Sequence, residues 1–111
     1  MAQALERWPR LRERLFTAAE RRYCEARQNP AQHYAVRFAA KEAIVKALGR
    51  SLSWQDVEIS RAGAGPPRAV LHGKAQDAAG GGKTEISLSH SGEYAVACAV
   101  FWPDMGRDVE S

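Results

Sequence analysis

Apolar residues recur with two different periods along the chain, and the change falls near its middle. In the first half they return every three or four positions, the spacing of one side of a helix. Leu5 and Trp8 form the edge of a short opening helix that Pro9 interrupts, because proline lacks the backbone donor and crowds the preceding turn. The pattern resumes with Leu11, Leu15 and Phe16. Thr17 and Glu20 have the spacing of a capping box, in which each side chain satisfies the other's orphan amide, so a third helix is expected through about Ala26. Asn29 and Pro30 read as N-cap and first residue of a long helix that runs to Leu48 and stops at Gly49.

In the second half the period falls to two. The runs "DVEIS", "PRAVLHG", "TEISLSH" and "YAVACAVFW" read as strands, separated by "RAGAGP", "GKAQDAAGGGK" and "SGE". The triple glycine of residues 80–82 reads as a flexible loop. Helices followed by strands predict an α+β fold with helices packed on an antiparallel sheet. A length of 111 residues suits one domain, expected over 1–103, with a frayed acidic tail over 104–111.

The long helix holds most of the chemistry. Projected at 100° per residue with Arg37 as zero, Val36, Ala40, Ala43, Ile44, Ala47 and Leu48 fall in an arc from about −120° to +20°, and Phe38 and Val45 form a second stripe near 80–100°. Two apolar sides predict two packing partners. Arg37 and Lys41 lie in the gap between the stripes, while Glu42 and Lys46 fall together at about 140–180°, beside the second one. A charge among apolar neighbours is costly unless paired. Geometry alone leaves the Glu42–Lys46 pair open between a functional pair and an ordinary i,i+4 surface pair.

Composition narrows the function. Hydrophobic residues make up 45% and charged ones 26%, an ordinary globular balance, and no apolar run approaches a membrane span. The opening residues lack the apolar core of a secretory signal, so a cytoplasmic protein is expected. Two distant cysteines, Cys24 and Cys98, suit reduced thiols, and no Cys/His spacing suggests a zinc site. The net charge of +3 resides in residues 1–27, which hold seven arginines and four glutamates. Such a segment suits an acidic partner, since guanidinium forks bind carboxylate and phosphate. No nucleic-acid motif accompanies it, and no nucleic acid is expected as a partner.

Taken in order, "LFTAAERRYC", "RFAAKEAIVKALG", "SWQDVEI", "GPPRAVLHGKA" and "ISLSHSGEYAVACAV" resemble the holo-acyl-carrier-protein synthase family, the small 4′-phosphopantetheinyl transferases, from about Leu5 to Val100. The resemblance implies an α+β homotrimer with sites between neighbouring subunits. It also implies the reaction: phosphopantetheine passes from coenzyme A to a serine of an acyl carrier protein, with magnesium, releasing 3′,5′-adenosine bisphosphate. By resemblance, Glu42 is the metal-binding glutamate and Lys46 the lysine that reaches the phosphates. Arg37 and Pro67 match positions near the nucleotide, His90 matches a histidine on its phosphate, and Ser89 stands beside it. Arg7, Arg10 and Arg14 are the candidates for the acidic carrier protein. Outside the resemblance, His33 and His72 read as plain surface and strand residues, and Trp8 and Tyr23 as packing residues.

Three family features are not found. The opening "GIDxVEI" strand with its metal-binding aspartate is missing, and the chain as written opens inside the following helix. The loop after the long helix is short, and the helix between "GKA" and "ISLSH" is expected to shrink to about one turn. Weak activity is therefore expected of this chain, with a non-catalytic relative that binds coenzyme A or a carrier protein as the alternative.

Overall fold

A computed structural model describes residues 2–61, 65–91 and 94–104. The expected centres of "RAGAGP" and "SGE", and all but the first residue of the acidic tail, lie outside the described residues. In chain order the elements are α1 (Ala2–Arg7), α2 (Leu11–Leu15), α3 (Ala18–Glu25), α4 (Pro30–Leu48), a 3₁₀ turn (Trp54–Asp56), β1 (Val57–Ser60), β2 (Arg68–Leu71), α5 (Gly73–Ala79), β3 (Lys83–Ser91) and β4 (Tyr94–Trp102).

The boundaries follow the local chemistry. Thr17 and Glu20 form the full capping box at the start of α3. Pro30 opens α4, and Gly49, at φ 73°, closes it in the left-handed conformation that glycine adopts without penalty. The two apolar sides of α4 do have two partners. Ala40, Ile44 and Leu48 pack with Val57 and Ile59 in one core. Tyr34 packs with Phe16, Leu5 and Cys24 in another, against the N-terminal helices, with Phe38 of the second stripe beside it, whereas Val45, expected on that stripe too, packs onto the first core. Burial pushes the Cys24 thiol up to about 12, with smaller opposing effects of Arg37 and Glu20, so this cysteine is inert packing.

The strands are antiparallel, but they form two hairpins, β1–β2 and β3–β4, rather than one continuous sheet. An open groove of about 560 Å³ separates them, lined by Pro66 and Pro67 on one side and Lys83 to Ile86 on the other. In the β3–β4 hairpin Ile86 and Leu88 alternate with outward residues and, with Ala97, Ala99 and Phe101, pack onto the α4 core. The opposite face of β4 is uncovered: Tyr94 is 78% exposed and Val96 59%, with Val100 and Trp102 also open.

Two expectations for the region after β2 are corrected. The α5 helix has seven residues, not about one turn, because Ala75 and Ala79, one turn apart, both bury into the core. Nor is the triple glycine simply a flexible loop. Gly80 ends α5 at φ 59°, and a Cβ on Gly82 would stand 2.5 Å from the Trp102 carbonyl oxygen, so β4 approaches too closely for any other residue.

α4 buries two charges, Arg37 and Lys41, and Lys41 carries an ion pair. Its Nζ lies 2.6 Å from Glu20 Oε1, and both side chains are wholly buried. The ammonium also donates to the carbonyls of Leu15 at 2.6 Å and Trp54 at 2.7 Å, so its three hydrogens have three acceptors. Glu20 in turn accepts from the amides of Thr17 and Ile59, both at 2.8 Å. One ion pair thus ties α3, α4, β1, the end of α2 and the 3₁₀ turn together. Burial pushes Lys41 below its ordinary value, and the nearby Glu20 carboxylate offsets only part of that cost.

Candidate active site

Residues of opposite chemistry occupy opposite sides of α4. Glu42 and Lys46 form a solvent-facing i,i+4 pair 3.9 Å apart, with side chains 47% and 79% exposed. Desolvation is therefore not what holds them, and as a stabilising contact such a pair contributes little. What it offers is a half-exposed carboxylate beside an exposed cation. Among the described residues no group of three or more His, Cys, Asp or Glu side chains converges as a metal site. Glu42 fits a hard cation in the manner of magnesium, which takes one or two carboxylates and completes its shell with substrate phosphates and water.

On the other side, Arg37 is 2% exposed. Its guanidinium carbon stacks 3.9 Å from the centre of the Tyr23 ring, which also carries Arg27 at 4.1 Å. The buried Arg37 Nε has no hydrogen-bond partner among the described residues. His33, one turn before Arg37, lies with its ring 5.8 Å from Tyr23 and 5.6 Å from His90. His90 reaches it because residues 86, 88 and 90 share a face of β3, and that row points toward α4. The result is a cationic cluster built from α3, α4 and the end of β3.

The structure brings Arg37 and His90 together, with His33 between them, and leaves the other nucleotide candidates apart. Ser89 is exposed on the opposite face of β3, one residue out of phase with His90. Pro67 lines the groove between the hairpins, together with Arg68, Lys83 and Glu85, at the far end of β3 from His90. Arg7, Arg10 and Arg14 are exposed along α1 and α2. Arg12, by contrast, is engaged by Glu25 at 3.3 Å and by the Tyr34 ring. Trp8, expected to pack, is 57% exposed and carries Arg7 over its ring at 5.2 Å, because the Pro9 break turns it away from the core. Tyr23 does pack, and it holds two arginines besides. The participation of His33 was missed by sequence reasoning; its i,i+4 spacing from Arg37 was the available signal.

Residues 2–99 match the 4′-phosphopantetheinyl transferase superfamily. The chain belongs to the holo-[acyl-carrier-protein] synthase family within that superfamily, a family of transferase enzymes. It is 48% identical over 106 residues to a holo-[acyl-carrier-protein] synthase of Moorella thermoacetica, covering 90% of this chain and 83% of the relative. A synthase of Geobacter metallireducens is 49% identical over 102 residues, covering 86% and 81%. Among solved structures, the Helicobacter pylori holo-[acyl-carrier-protein] synthase in complex with coenzyme A superposes with a TM-score of 0.79 at 25% identity, covering 91% of this chain and 90% of that one. The coenzyme A complex from Chronobacterium ammoniagenes gives 0.78 at 29% identity, covering 90% and 86%.

Proposed function

We propose that this chain transfers 4′-phosphopantetheine from coenzyme A to a serine hydroxyl of an acyl carrier protein, in a magnesium-dependent reaction that releases 3′,5′-adenosine bisphosphate. The observation that carries the reading is the cluster in which buried Arg37 stacks on Tyr23 with His33 and His90 beside it, in a chain of this transferase family. Two of its solved neighbours hold coenzyme A.

The chemistry assigns the residues. The serine oxygen attacks the β-phosphorus as its hydroxyl proton is released to solvent, the P–O bond to the nucleotide phosphate breaks, and the bisphosphate leaves. Magnesium, when bound, supplies charge neutralisation on the pyrophosphate. Glu42 would hold it with one carboxylate, and Lys46, with its long exposed stem, would follow the charge that develops on the leaving oxygen. Arg37 and His90 would bind the nucleotide end.

Glu42 and Lys46 project about 140–180° around α4 from Arg37, so one helix cannot turn both sets toward the same pyrophosphate. Two copies facing each other can. The uncovered apolar row Tyr94, Val96, Val100 and Trp102 on β4 offers the surface for that association. This supports an oligomer with sites between neighbours, which the resemblance implies to be a homotrimer. The two free cysteines suit a reducing cytoplasm, where the reaction is placed.

The carrier protein is the acidic partner for α1 and α2, where Arg7, Arg10 and Arg14 stand free of the core. Arg10→Glu with Arg14→Glu should weaken carrier-protein binding by about tenfold or more, with a steep salt dependence, and leave coenzyme A affinity within about twofold. Surface plasmon resonance with the carrier protein and calorimetry with coenzyme A would separate the two. Equal loss of both affinities would contradict the assignment. Transfer itself is tested by incubating the protein with coenzyme A, magnesium and an apo carrier protein, and identifying the released nucleotide by chromatography. Release of adenosine bisphosphate only when carrier protein and magnesium are both present is the expected result.

A further inference from the structure

We propose that Gln55 is a positioning residue for carrier-protein recognition: from the 3₁₀ turn, its side-chain amide clamps the end of α2 and holds in place the arginines that this helix presents. The inference rests on the reading of Arg10 and Arg14 as a carrier-protein surface and deepens it.

The need for a clamp follows from the helix itself. α2 has five residues, Leu11–Leu15, and none of them is buried. A helix this short does not hold its shape in water without tertiary support, because the cost of its first turn is not recovered by later ones. Leu11 and Leu15 give it only partial apolar cover, against the Phe16–Tyr34 core. Its first amides are served locally, with those of Glu13 and Arg14 donating to the Arg10 carbonyl at 3.1 and 3.2 Å. The Phe16 amide takes the Arg12 carbonyl at 3.0 Å. Beyond that the chain turns extended at Phe16, with φ −129° and ψ 144°, so the last carbonyls have no helical successor to serve them.

Two side chains from elsewhere take these carbonyls. Gln55 Nε2 donates to the Glu13 carbonyl at 2.6 Å and to that of Phe16 at 2.7 Å, with the Arg14 carbonyl 3.5 Å away. An amide nitrogen carries two hydrogens, so both are used, one on each side of Arg14. Lys41 takes the Leu15 carbonyl between them. The turn that carries Gln55 is itself fixed to the long helix: the Trp54 carbonyl accepts from Lys41 at 2.7 Å, and the Trp54 ring lies 5.1 Å from that of Phe38. α2 is thus tied through Gln55 to the helix whose exposed side carries Glu42 and Lys46. Without the clamp α2 would keep its arginines and lose their common orientation, and carrier-protein binding would have to order them first. Lys41 also neutralises Glu20, so only Gln55 can be replaced without stranding a charge.

The test compares the intact protein with Gln55→Met, which keeps the length and loses both donors, and with the milder Gln55→Asn, whose amide is one bond too short to span both carbonyls. Carrier-protein affinity, read by surface plasmon resonance, should fall about five- to tenfold in Gln55→Met and about two- to threefold in Gln55→Asn, while coenzyme A affinity and kcat at saturating carrier protein stay within about twofold. The amides of residues 13–16 should exchange hydrogen faster in Gln55→Met, with unchanged rates in β3 and β4. In a background of Arg10→Glu with Arg14→Glu, Gln55→Met should cost less than about twofold further, because nothing is left to position. Carrier-protein affinity unchanged in both Gln55 variants would overturn the inference and leave the docking surface standing. A loss that coenzyme A binding shares, or that adds fully in the arginine-reversed background, would make Gln55 a merely structural residue and overturn it equally. Should Gln55→Met fail to fold, Gln55→Asn decides by the same criteria. If Arg10→Glu with Arg14→Glu itself leaves carrier-protein affinity unchanged, the docking reading falls and the inference with it.

Discussion

Lys41→Met should destabilise the protein by about 3–5 kcal/mol, the cost of leaving a buried carboxylate without its counter-charge. Glu20 is wholly buried, and with Lys41 gone its Oε1 keeps only the Thr17 amide while Oε2 keeps the Ile59 amide. A domain of this size has a total stability of about 5–15 kcal/mol, so the single variant should be partly unfolded or nearly so at 37 °C. Glu20→Gln combined with Lys41→Met should recover much of the loss, because glutamine preserves an acceptor and removes the stranded charge. Urea denaturation followed by circular dichroism measures both. A single variant within about 1 kcal/mol of the original protein, or a double variant no better than the single, would contradict the structural role assigned to this pair.

Glu42→Gln should behave in the opposite way, with no change in fold and a large loss of activity. Its side chain is half exposed and its nearest charged neighbour is Lys46 at 3.9 Å, so stability should shift by no more than about 0.5 kcal/mol. Transfer should fall by about a hundredfold or more, since an amide keeps the volume and loses the charge that holds a hard cation against the pyrophosphate. Raising magnesium should recover part of the rate if the residual site is the substrate's own phosphates. Steady-state kinetics against magnesium concentration, with thermal melting as the control, separates these effects. Undiminished transfer would return Glu42 and Lys46 to the role of a surface salt bridge.

These two glutamates also show how far the sequence could be read. The caps of α3 and α4, the four strands and the two-sided packing of α4 were legible because each depends on local spacing: Thr17 with Glu20, Asn29 with Pro30, Gly49 after Leu48. The projection of α4 also showed that some charges would meet apolar surroundings. It could not show which, because Lys41 is buried by Leu15 and Trp54, contacts that form only when distant segments meet. Glu20 was legible as a capping residue and silent as the partner of Lys41, 21 positions away. The length of α5 escaped because three following glycines outweighed the Ala75–Ala79 pair that tertiary packing buries.

The candidate site divides along the same line. Arg37 and His90 were placed by resemblance, and their meeting through His33 is a consequence of the face shared by alternate residues on β3. Ser89 immediately precedes His90 in sequence and so falls to the opposite face. Pro67 was tied to the nucleotide by the same resemblance, yet in a single chain it sits a strand's length away, in the groove between the hairpins. Both separations become understandable if the working site is assembled from two copies.

The most direct test of the proposed transfer is the intact mass of an apo acyl carrier protein after incubation with this protein, coenzyme A and magnesium. The account predicts a gain equal to one phosphopantetheine arm, lost when the modified serine of the carrier protein is replaced by alanine and when magnesium is chelated. A carrier protein of unchanged mass, under conditions where calorimetry shows this protein binding coenzyme A, would contradict it and identify a relative that binds without transferring.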